Sequence, residues 1–129
     1  MIQNIGAGVL AMILLAAGGA ASPLAVPVET VSPQGYALAS ATAVKRADGA
    51  RIHGSVCVKS RLPPPNVVRV EQISSTGQVL GSRSERLTGL GGRLFRCTFF
   101  NVQTAWTIGP SDRIRACALR SDGPCGRPK

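Results

Sequence analysis

Val67-Val68-Arg69-Val70-Glu71-Gln72-Ile73, the turn Ser74-Ser75-Thr76-Gly77-Gln78, and Val79-Leu80-Gly81-Ser82-Arg83-Ser84-Glu85-Arg86-Leu87 together decide how this chain folds. Two β-prone runs flank a short segment of turn formers, and Gly77 supplies the positive φ that a tight reversal needs. On the first run Val68 and Val70 share one face while Arg69 and Glu71 share the other, the period of a half-buried strand. A three-residue loop at Ser75-Thr76-Gly77 is expected to put Arg69, Glu71, Arg83 and Glu85 on the same side of the hairpin. There they form an alternating, solvated charge patch whose diagonal pairs contribute about 0.2–1 kcal/mol each. A catalytic pair of carboxylates at Glu71 and Glu85 is disfavoured. The flanking arginines keep both ionised, and an exposed sheet offers no pocket.

The pattern of this hairpin repeats along the chain. Short β-prone runs at 41–46, 51–59, 66–74, 79–87, 94–103 and 112–120 are separated by turn residues. No segment carries a sustained helical period with caps. Pro63-Pro64-Pro65 has no donors for a ladder and suits an extended crossover between sheets. Six or seven strands at this spacing predict an all-β fold, a small antiparallel immunoglobulin-like β-sandwich following a cleaved N-terminal signal segment. The 67–73 run, the Gly77 turn and Val79-Leu80 resemble the hairpins of immunoglobulin-like accessory domains in bacterial envelope proteins. The resemblance spans residues 41–120 and concerns the fold. It implies no activity and carries over no functional residue.

Upstream of the strands, no residue from Met1 to Val28 is charged, and Ile5 to Ala17 is an almost unbroken apolar run. The run is shorter than the roughly twenty residues of a spanning helix and ends in small residues, Gly18-Gly19-Ala20-Ala21. This is the pattern of a secretory signal peptide, residues 1–21, cut after Ala20 or Ala21. Its n-region has no Lys or Arg, which leaves an uncleaved anchor as the competing reading. Residues 22–40 hold three prolines and read as a Pro/Ala-rich linker or a stray first strand. Residues 41–120 form the sandwich and 121–129 a basic tail containing a cysteine. Export places the protein in the periplasm or outside the cell, with no stable membrane span in the mature chain.

An exported chain with Cys57, Cys97, Cys117 and Cys125 is expected to carry two disulfides. Cys97 alternates with Phe95 and Phe99 and so is expected to face the core, whereas Cys57 and Cys117 face away from it. That facing favours Cys57–Cys117 with Cys97–Cys125. Proximity in sequence favours a Cys117–Cys125 clip with Cys57–Cys97, which chain entropy also permits at roughly 2.5 and 4 kcal/mol; the balance tips slightly to the clip. The cysteines include no C-x₂₋₄-C pair for zinc and no C-x-x-C redox motif.

The net charge is +9, and the basic residues are spread from Lys45 to Lys129. Long-range attraction to polyanions follows from such a charge. Stacking platforms do not interleave with the arginines, so nucleic acid is disfavoured among polyanions. The one histidine, His53, falls out of phase with Ile52, Val56 and Val58 and is expected to be exposed. G-x-S-x-G, S-x-x-K, H-E-x-x-H and P-loop patterns are absent. Neither a cofactor nor a metal is expected, and the chain is read as no enzyme. Trp106 either caps the core or marks a binding surface, and Arg61-Leu62-Pro63-Pro64-Pro65 could display a polyproline ligand. The expected function is an exported accessory component of the envelope that binds or supports an unknown partner. Direct binding of an anionic polymer and a secreted inhibitor are the alternatives.

Overall fold

Apolar residues alternating with polar ones over seven to eleven positions leave one face of each strand to bury, and two sheets do so against each other. The computed structural model describes residues 24–59, 63–88, 90 and 95–126. The expected signal peptide and Arg61 lie outside the described residues. All six expected strands are present, joined by two shorter ones. In chain order they are β1 (Ala25–Val26), β2 (Val28–Thr30), β3 (Leu38–Arg46), β4 (Gly49–Lys59), β5 (Val67–Ile73), β6 (Val79–Arg86), β7 (Phe95–Thr104) and β8 (Arg113–Leu119). Sheet A runs β1-β3-β4-β7 and sheet B runs β2-β8-β5-β6. No helix is present among the described residues, and none is long and apolar enough to cross a membrane.

The two inner faces meet in one core. Sheet A contributes Ile52, Val56, Phe100 and Val102; sheet B contributes Val68, Val70, Ile114 and Ala116. Small β-branched residues dominate it, as the scarcity of aromatics requires. Burial of each such side chain stabilises the fold by roughly 1.5–3 kcal/mol.

Within the 22–40 segment, expected as a linker or a stray first strand, residues 25–26 and 28–30 form strands. Val26 is buried, β1 pairs with β3 in sheet A, and β2 pairs with β8 in sheet B. Pro27 stands between them: it has no N–H to offer, and its carbonyl accepts from Ile114 N at 2.9 Å. The chain changes sheets at this proline without turning back, which makes the β2–β8 pair parallel. Sheet B is therefore mixed, where an antiparallel sandwich was expected. Strands of two and three residues carry too little alternation to be read from sequence.

The hairpin loop is as expected, but the faces are not. Ser74 and Gln78 close it (N to O 2.9 Å), and Gly77 has φ 89°. Ile73 then pairs with Val79 and Gln72 with Gly81, which leaves Leu80 as an extra residue in a bulge. One extra residue exchanges the faces of everything beyond it. Arg83 and Glu85 thus lie opposite Val70 and Val68, while Ser84 and Ser82 lie opposite Arg69 and Glu71. The single four-charge patch does not form. Arg83 and Glu85 pair with each other on the edge strand (2.9 Å), and the serines leave room over Arg69 and Glu71 for the C-terminal segment.

Gly54 lies where β3 presses on β4. A Cβ there would sit 2.1 Å from the Ser40 carbonyl oxygen, whereas one at Gly123 would meet nothing within 4 Å. We expect Gly54→Ala to destabilise the fold by about 1–3 kcal/mol, as overpacking does, and Gly123→Ala to have little effect. Thermal unfolding of the two variants checks this; equal melting temperatures would contradict the β3–β4 packing.

Candidate functional site

Alternation along β8 sends Arg113, Arg115 and Cys117 to the outer face of sheet B, beside Arg69 and Glu71 of β5 and Glu29 of β2. Residues 120–126 cross this face as a strap. Cys125 is 1% exposed and bonded to Cys117, 0% exposed, so the expected basic tail is fastened to the sheet through Cys125. Beneath the strap Glu71 is 1% exposed. Its Oε2 accepts from Arg69 Nε at 3.0 Å and from the Cys125 backbone N–H at 3.0 Å. Its Oε1 has no hydrogen-bond partner, and Arg115 Nη1 lies 3.9 Å away. Glu29 bridges Arg113 and Arg115 at 3.5 and 3.3 Å. Asp122 accepts from Ser84 Oγ at 2.7 Å and pairs with Arg69 at 3.5 Å. Acids and arginines on this face are spent on one another. A carboxylate pair is not assembled there, since Glu71 and Glu85 lie on opposite faces of the hairpin.

An acceptor this buried is costly to remove. Replacing Glu71 by Ala takes the acceptor from Arg69 Nε and from the buried Cys125 N–H, while Asp122 and Glu29 still face Arg69 and Arg115, and costs about 1–3 kcal/mol. Glu85→Ala removes an exposed pair worth at most about 1 kcal/mol. Urea unfolding of both variants should rank them in this order; equal midpoints would contradict the role given to Glu71.

The outer face of sheet A is different. It carries Arg51, His53, Ser55 and Cys57 from β4 and Cys97, Phe99, Asn101 and Gln103 from β7, in direct cross-strand register. Phe99 is 85% exposed. Arg51 Nε donates to Asn101 Oδ1 at 3.1 Å, and Ser40 and Ser55 hydroxyls are 3.0 Å apart. A shallow groove of about 330 Å³ runs between Ser40, Arg51, His53, Phe99 and Asn101. The strands of sheet A contain Lys45, Arg46, Arg51, Lys59 and Arg96 and no acidic residue. Among the described residues, no carboxylate pairs with Arg51. His53 lies on the outer face as expected but is half-buried in the groove wall.

The disulfides are Cys57–Cys97 and Cys117–Cys125. The facing argument for Cys57–Cys117 fails because those residues lie on opposite outer faces of the sandwich. It misplaced Cys97 as well. In the pair Phe99-Phe100, Phe100 and Val102 take the core, so Cys97 and Phe99 point out. The signal for Phe99 was present in the polar partners of its phase, Asn101 and Gln103. Cys97 is exposed and Cys57 half-buried. A hydrophilic phosphine reductant should therefore open Cys57–Cys97 first and leave Cys117–Cys125 intact until the fold opens. Alkylation and peptide mapping follow this; simultaneous reduction in the folded protein would contradict it.

The remaining expected surface residues are not brought together with this face. Trp106 is half-buried against the core and lies over Gly81, where a Cβ would meet its Nε1 at 2.9 Å. Pro63, Pro64 and Pro65 form the crossover from sheet A to sheet B, exposed at Pro63 and buried at Pro65. Tyr36 Oη donates to the Pro63 carbonyl and Arg120 Nη1 to that of Pro64, which ties the segment to the body. Comparison with protein families, curated proteins and solved structures finds no match for this chain.

Proposed function

We propose that this protein is an exported, non-catalytic accessory module of the cell envelope, immunoglobulin-like in architecture, that works by binding another envelope component. The observation that carries the reading is Phe99. A large aromatic 85% exposed on the outer face of β7, an edge strand of sheet A, costs solubility and has no packing role, and such residues dominate binding energetics where they are covered. The immunoglobulin-like comparison draws on two face-to-face sheets of four strands and extends to architecture, not to strand order. Here β3–β4 and β5–β6 are each hairpins within one sheet.

Export to the periplasm or beyond is supported by the apolar, charge-free N-terminus and by two disulfides, which persist in oxidising compartments. They stabilise a domain of modest core size by roughly 2–4 kcal/mol each. An inhibitor loop at Pro63–Pro65 has less support, because that segment is bonded on both sides. The test is fractionation of cells producing the full chain with a C-terminal tag, combined with thiol trapping. We expect a shortened, fully oxidised species in the periplasm or medium. A full-length, reduced species in the cytoplasm would overturn the proposal.

A further inference from the structure

We infer that the outer face of sheet A is a binding platform for an acidic polysaccharide, with Phe99 as the stacking surface and Arg51 as the carboxylate clamp. This rests on the reading of the protein as an exported binding module and names its ligand class.

Three observations converge on it. The strands of this sheet hold basic residues and no acid, whereas the acids of sheet B lie among its arginines. By register Arg46, Arg51 and Lys59 share the outer phase, while Lys45 and Arg96 share that of Ala50 and Val58; with one acid, Asp48, in the adjoining β3–β4 turn, the field outside sheet A stays positive, which attracts an anionic polymer. Second, Phe99 is 85% exposed on an open face that also carries hydroxyls, amides, an imidazole, a guanidinium and the Cys57–Cys97 disulfide. An aromatic ring covers the C–H face of a pyranose, while Ser55, Asn101 and Gln103 can hydrogen-bond its hydroxyls. Third, Arg51 has its Nε held by Asn101, which fixes the guanidinium while its terminal N–H groups remain to take a carboxylate in the two-pronged fashion arginine favours. Arg51 lies opposite Gln103, and Phe99 four residues back along β7. The guanidinium reaches back to Asn101, two residues from Phe99 and about 7 Å along the strand, so stacking and clamp act on the same or adjacent sugar rings.

Single-stranded nucleic acid shares the charge requirement but is bound on successive aromatic platforms. On this face Phe95 shares the phase of Phe99 but lies four residues away along β7, about 13 Å, so the two do not form adjacent platforms. A polyuronate matches the chemistry better: each ring offers one stacking face and one carboxylate.

The experiment is calorimetric titration of the oxidised protein with a short oligogalacturonate at low ionic strength, alongside a neutral oligosaccharide of equal length and oligo(dT). We expect binding of the oligogalacturonate alone among the sugars, and weaker binding of oligo(dT). Phe99→Ala and Arg51→Gln should each weaken it by about tenfold with unchanged melting temperature. Arg83→Gln, on sheet B, should leave affinity within about twofold. Phe99→Ala carries no charge change. Wild-type affinity in that variant would reduce the effect to net charge and overturn the proposal. Tighter binding of oligo(dT) would overturn it in favour of nucleic acid, and so would self-association abolished by Phe99→Ala without any glycan binding, in favour of a second copy. Any of these outcomes leaves the export reading standing, because fractionation decides that separately.

Discussion

The carboxylate of Glu71 is the constraint on which the rest of the molecule depends. It lies on the outer face of sheet B yet is 1% exposed, because residues 120–126 cover it and donate the Cys125 N–H to it. A charge held there requires Arg69 and Arg115 close by, and the Cys117–Cys125 bridge locks the cover in place. The bulge at Leu80 belongs to the same device. By exchanging faces it puts Ser82 and Ser84 under the strap instead of Arg83 and Glu85, and Ser84 Oγ then donates to Asp122.

Closing one face in this way polarises the molecule. With Glu29, Glu71 and Asp122 engaged against Arg69, Arg113 and Arg115, the outer face of sheet B approaches neutrality under the strap. The acid-free strands of sheet A are left to express the positive charge of the chain, and they do so around an exposed phenylalanine. The two disulfides follow the same division. One is buried and holds the strap; the other joins two strands on the open face.

What could be read from the sequence, and what could not, follows from how local each signal is. Strand positions were legible because a run such as 67–73 declares its own alternation, and the Ser75-Thr76-Gly77 loop was legible because turn chemistry is local. Faces were not. The position of Arg83 depends on a bulge that no residue type announces, and the Phe99-Phe100 pair admits two phases until Val102 is seen to share the core with Phe100. β1 and β2 were legible only as a stray first strand within a linker, because two or three residues around a proline carry no period. For the same reason the candidate face was missed: Phe99 was assigned inward with Cys97, while Trp106, read as a possible surface anchor, half-buries itself over Gly81. Its cysteine pairing could only be weighed, since Cys57 and Cys117 both face outward but on opposite sides of a sandwich whose sheet assignment is a tertiary fact.

The central claim is that binding is confined to the open face and that the covered face is inert. Amide chemical-shift mapping of the labelled, oxidised protein during addition of an oligogalacturonate tests it most directly. The account predicts perturbations clustered on β4 and β7 around His53, Phe99 and Asn101, with β5, β8 and the strap unchanged. Perturbations distributed over both sheets in proportion to their arginines would contradict it.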